Sequence, residues 1–321
     1  MTRSALDCFQ RGVLSARANL GLVWMGLLQS LAVSVLFVAS LVPPVLVLGG
    51  PALLDLDLSD PTALERWLGG LGATLAGRLP ALALGLLAST LIGLLAVVVW
   101  GWFQGGIVGV LVAAERQAHP EAGRRSGGWR WFRTFSLQDF AGWGGRNLWR
   151  FFWWFHVMLT AWLAFSLLAV LLLAGAGVAW ESWGGGAGFG LGCGGTFPLL
   201  FLFWVLAAWS FLSQPAVALP ENGAWSGSVR GFRILGRRLG AASFLLLTVL
   251  VLSFALGILG TMVRLGFDLV LPDRLSVQLG VLGVVAVLQS LVAVALNLFA
   301  YAAYAALVIP ETGSRSPEES R

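Results

Sequence analysis

Six stretches of this chain run without a charged residue for long enough to cross a lipid bilayer. They lie between Arg17 and Asp55, Arg78 and Glu115, Arg150 and Glu181, Glu181 and Glu221, Arg238 and Arg264, and Arg274 and Glu311. A helix needs about 20 apolar residues to cross the hydrocarbon core, and inside it every backbone donor and acceptor must be satisfied within the segment. The expected fold is therefore an all-α polytopic membrane protein with six transmembrane helices. Only 11% of the 321 residues are charged, against about 25% in an ordinary soluble domain.

The charges that remain orient the spans. All 20 basic residues are arginines. Only Arg66, Arg78, Arg264 and Arg274 fall in the segments after the odd-numbered spans; the others flank the opposite ends. That asymmetry predicts cytoplasmic termini. The first apolar run is expected to act as an uncleaved signal anchor, because Asp7, Gln10, Arg11 and Arg17 interrupt the residues before it. Cys8 and Cys193 then lie on opposite sides of the membrane, so no intrachain disulfide is expected. Arginine beside tryptophan, as at Trp129–Arg133, also suits nucleic acid. Next to a span it describes an interfacial belt, and no nucleic-acid partner is expected.

A four-residue phrase recurs after the even-numbered runs: Pro120-Glu121-Ala122-Gly123, Pro220-Glu221-Asn222-Gly223 and Pro310-Glu311-Thr312-Gly313. Its repetition divides the chain into three helical hairpins, about 1–123, 124–223 and 224–313, within one transmembrane domain of 1–313. Each hairpin is preceded by a segment suited to a cytoplasmic interfacial helix. In 224–239, Val229, Phe232, Leu235 and Leu239 form one stripe and Arg230, Arg233 and Arg237 another, a pattern for contact with anionic lipid headgroups. The proline marks a helix end and the glycine permits the turn. The glutamate either faces the dipole of the next helix or binds arginines of neighbouring units. Residues 314–321 read as a disordered tail.

Other features carry less. The run Gly184–Gly195 has a GxGxxG-like spacing without a βαβ unit around it, and reads as a flexible external loop. Pro43-Pro44 should end or bend the first span. Gly101, Gly105 and Gly109 offer a small-residue face for helix packing. Asp55, Asp57 and Asp60 read as a solvated acidic loop, and His119 has no second metal ligand in view. His156 is the one ionisable residue inside a span, and so a functional candidate. No catalytic set, cofactor motif or metal site emerges.

Pro220-Glu221-Asn222-Gly223-Ala224-Trp225, followed by Ser228, Arg230 and the arginines from Arg233 to Arg238, resembles the cytoplasmic connection in six-helix bacterial membrane proteins. These are related to the membrane domain of glycerophosphoryl diester phosphodiesterases. The resemblance implies a membrane module of the inner membrane without the phosphodiesterase catalytic domain, and hence no hydrolase activity. Mitochondrial carriers also have three two-helix units, but their proline-acid phrase ends the odd-numbered helices. The expected role is a non-catalytic scaffold or accessory subunit that organises lipids or a membrane-protein partner. The alternative is a transporter or channel for a small or lipidic solute.

Overall fold

The computed structural model describes residues 3–48, 61–118, 128–270 and 275–309. These form eight α-helices: α1 (Ala5–Ala18), α2 (Gly21–Leu48), α3 (Pro61–Gln117), α4 (Leu137–Trp183), α5 (Gly185–Ala218), α6 (Ala224–Arg237), α7 (Leu239–Val270) and α8 (Leu275–Val308). A short 3-10 turn, Gly128–Phe132, precedes α4. Six helices, α2 to α5 with α7 and α8, are long and apolar enough to span a membrane. The protein is an all-α polytopic membrane protein.

Helix starts follow their sequence signals. Ser4 and Ser136 cap α1 and α4 by accepting the backbone N–H of Asp7 and Asp139, and the aspartates sit in the first turn where the helix dipole favours them. Proline at position 61 opens α3, which bends once, at Arg78 (φ −119°, ψ 15°), and continues to Gln117.

Two expectations change. The glycine-rich run is helical from Gly185 onward, and only Gly184, at φ 89°, breaks the chain between α4 and α5. A segment next to lipid satisfies its backbone best as helix, and its glycines allow close packing. A Cβ on Gly188 would lie 2.5 Å from the Trp180 Cβ, and one on Gly195 would lie within 3 Å of Leu172. Helix α2 likewise runs through Pro43 and Pro44 to Leu48.

The contacts divide the chain into two compact units, residues 28–100 and residues 1–27 with 101–321. In the first, Gln29 donates to the Trp100 carbonyl (3.3 Å) and Arg78 to that of Val47 (3.2 Å). In the second, Leu22, Ile107, Leu111, Phe140, Val294 and Leu298 share one hydrophobic cluster. The inner parts of α3, α5 and α8 are tied by polar side chains as well. Gln104 donates to Gln214, Phe211 stacks on Tyr304, and the Tyr304 hydroxyl donates to the Ala242 carbonyl of α7.

Three segments, α1, α6 and the first turns of α4, are each docked on a span through glycine. Gly12 of α1 abuts Ala303 of α8, Gly231 of α6 abuts Ser213 of α5, and Gly144 of α4 abuts the Trp102 carbonyl of α3. Each glycine stands eight residues after its helix N-cap, which is Ser4, Gly223 or Ser136. The Gly101, Gly105 and Gly109 face of α3 receives Leu148, Asn147 and Trp143 of α4.

A Cβ at position 231 would lie 2.8 Å from the Ser213 Cα, so neither backbone could stay in place. Gly231→Ala is predicted to destabilise the protein by about 1–3 kcal/mol. Gly236→Ala on the same helix meets open space and is predicted to be neutral or stabilising by up to about 1 kcal/mol. Thermal unfolding in detergent checks the contrast.

Candidate functional site

Helix α6 has three faces. Gly227, Ser228, Gly231 and Leu235 are buried, with Gly227 and Gly231 against Val217 and Ser213 of α5. Trp225, Val229 and Phe232 are exposed and apolar. Arg230, Arg233 and Arg237 form the third face. The sequence pattern places Leu235 in the apolar stripe, whereas it turns into the protein, because the docking face takes the positions next to the two glycines. Trp209 of α5 fixes the helix further, donating from Nε1 to the Ser228 carbonyl (2.8 Å).

The arginine face does not simply open outward. With Arg238 it lines a cavity of about 930 Å³, whose other wall is Leu307 and Val308 at the end of α8. Among the described residues the cleft has one carboxylate partner. Glu221 accepts from Arg230 of α6 and from Arg116 at the end of α3, each at 3.2 Å. Partial burial works against the Glu221 charge, but a hydrogen bond from its own backbone and the two guanidiniums outweigh it, holding the carboxyl below its ordinary value.

Glu221 belongs to the corner Pro220-Glu221-Asn222-Gly223, the one copy of the repeated phrase within the described residues. Pro120, Glu121, Gly123, Pro310, Glu311 and Gly313 lie outside them, as do the acidic loop, His119 and the tail 314–321. Leu219 before the proline is extended (φ −65°, ψ 134°), as the proline ring requires. Asn222 Nδ2 donates to the Ala216 carbonyl (2.7 Å), and Arg150 of α4 donates to the carbonyls of Leu219 and Pro220 (both 3.2 Å). The Ala216 carbonyl in the last turn of α5 and the two carbonyls after it thereby gain donors. At this copy the phrase turns the chain from α5 into α6, and its glutamate binds arginines from α3 and α6.

A second ionic centre lies at the end of α3. Glu115 Oε1 accepts from Arg3 (2.6 Å) and Arg11 (2.8 Å), and all three side chains are almost wholly enclosed. Arg3 also donates to the carbonyls of Ala306 and Ile309, closing the end of α8. In the sequence Glu115 marks only the boundary of a span. A signal was present: an acid in the last turn of a helix opposes the dipole unless cations answer it. Nearby, Asn19 receives the backbone N–H groups of Thr134 and Phe135 and donates to the Phe132 carbonyl, tying α1 to the connection before α4.

His156 is placed apart from both centres. Its Nδ1 is 2.8 Å from the Phe152 carbonyl of its own helix, and Phe152, Trp153 and Phe155 surround the ring. Helices α3, α5 and α8 run unbroken through Gln104, Pro215 and Gln289. No family model, curated protein or solved structure matches the chain.

Removing one partner of a buried ion cluster leaves uncompensated charge. Glu115→Leu is predicted to cost about 3–5 kcal/mol of stability. Glu221→Gln, at a carboxylate half exposed to solvent, is predicted to cost under about 1 kcal/mol. Paired thermal melts check both. Burial pushes the Cys8 thiol from 9.0 up to about 11, with Arg3 opposing the shift and Glu115 adding to it. The folded state therefore holds the thiol proton more tightly than the unfolded chain. The stability this contributes is fully present below pH 9 and is lost as pH rises towards 11. Melts of Cys8→Ala are predicted to lack that alkaline decline.

Proposed function

We propose that this chain is a non-catalytic protein of the bacterial inner membrane, a scaffold or accessory subunit that organises lipids or a membrane-protein partner. The observation that carries the reading is α6. One face is locked to the protein, one is apolar and exposed, and one is basic, which is the distribution a helix needs to sit at headgroup level while fixed to a span. Both termini are cytoplasmic in this reading, supported by the arginine asymmetry. The resemblance of residues 220–238 to the membrane domains of glycerophosphoryl diester phosphodiesterases accords with it and implies no hydrolysis.

The same reading holds three repeated hairpins. Supporting it are the docking glycines eight residues into α1, α4 and α6. Partner positions agree in two cases, since Ala303 and Ser213 each stand seven residues before the proline of a Pro-Glu-x-Gly phrase. Docking on α3 is displaced further from Pro120, so the second unit departs from the other two. A transporter or channel is the alternative, and helices unbroken through Gln104, Pro215 and Gln289 give it no support.

Purification in mild detergent is expected to retain a reproducible membrane partner or a defined lipid complement. A lone, lipid-free protein whose deletion alters only the flux of one solute would overturn the reading. With Cys8 and Cys193 replaced by alanine, Ser226→Cys is expected to react with an impermeant maleimide only from the cytoplasmic side. Labelling from the other face would reverse the orientation.

A further inference from the structure

Arginine and glycine are adjacent at the same place in α1 and α6. Arg11 and Arg230 each stand seven residues after the helix N-cap, and Gly12 and Gly231 eight. Both glycines dock on the end of a span, so both arginines reach the same kind of junction. The junctions are finished differently. Glu115 of α3, five residues before Pro120, meets Arg11 at 2.8 Å. The residue five before Pro310 in α8 is Ala305, and the wall that α8 offers to α6 is Leu307 and Val308. Around α1 the positive charge is answered from within the chain. Around α6 four arginines converge, and among the described residues the ion pairs there are those of Glu221, which reach only Arg230 and, outside the cleft, Arg116.

We infer that the cleft between α6 and the end of α8 binds one phosphate-bearing amphiphile, an anionic phospholipid, whose phosphate supplies the counter-charge that Glu115 supplies to α1. This rests on the reading that α6 lies at headgroup level. Arg233, Arg237 and Arg238 present planar donor forks suited to phosphate oxygens. Helical spacing places Arg230, Arg233 and Arg237 on one face. The chemistry of the phosphate end is common to a lipid headgroup and to free phosphate. The exposed apolar side chains of Trp225 and Val229 in the cleft lining, backed by the buried Leu307 and Val308, select the lipid, since they offer cover for glycerol and the first acyl carbons.

The test uses the full-length protein in uncharged detergent. Native mass spectrometry and titration in mixed micelles would compare phosphatidylglycerol, phosphatidylcholine and inorganic phosphate alone. One saturably bound phosphatidylglycerol per chain is expected. Binding should weaken on the order of tenfold or more in Arg233→Gln/Arg237→Gln, and similarly in Leu307→Glu, which supplies an internal carboxylate to the cleft wall. The equally charged control Arg133→Gln/Arg146→Gln, at exposed sites outside the cleft, should bind as the unmodified protein does. Because Arg233 and Arg237 are exposed, their variant tests the site even if Leu307→Glu fails to fold. Unsaturable binding that both arginine pairs weaken equally would overturn the cleft while leaving α6 at headgroup level. Saturation by inorganic phosphate alone at matching affinity would overturn the lipid as occupant. No preference for phosphatidylglycerol over phosphatidylcholine would overturn the headgroup reading itself.

Discussion

Close backbone approach at glycine holds the larger unit together. Where Gly12, Gly144 and Gly231 meet Ala303, Trp102 and Ser213, no room remains for a Cβ. Lipid competes with protein for every apolar side chain, so burial alone discriminates little between helix partners in a membrane. Surfaces that fit at backbone distance do. From these contacts follow the direction of α6, the exposure of its apolar and basic faces, and the approach of its arginines to the end of α8.

Charge is then distributed around those contacts in two ways. At the end of α3, Glu115 and Arg116 are neighbours in sequence and partners of different elements: the glutamate holds Arg3 and Arg11, and the arginine holds Glu221. The first set is sealed from water, where an unanswered charge is costly; the second is exposed and weak. Carbonyls at helix ends are managed by the same residue type. Arg3 closes α8 and Arg150 closes the corner after α5, long side chains donating to carbonyls at the helix ends.

Much of the candidate site was legible before any coordinates. Arg230, Arg233 and Arg237 share a face because helical periodicity makes them do so, and Pro220 favours the extended Leu219 that follows α5. Leu235 departs from the apolar stripe because periodicity counts apolar residues without knowing which face a neighbouring helix occupies. The glycine-rich run looks like a loop in sequence because glycine is a poor helix former in water, a rule that weakens where lipid leaves the backbone no other partner. The role of Glu115 is hidden in the sequence because its two arginines lie more than a hundred residues away.

The sequence by itself determined the class of the protein, its six spans and the basic stripe of α6. These are local consequences of hydrophobicity and 3.6-residue periodicity. Tertiary structure alone decided that α1 docks on α8, that Glu115 neutralises Arg11, and that the arginines of α6 face Leu307 and Val308 across a cleft. Each depends on which distant backbone comes within contact distance, and no pattern along the chain specifies that.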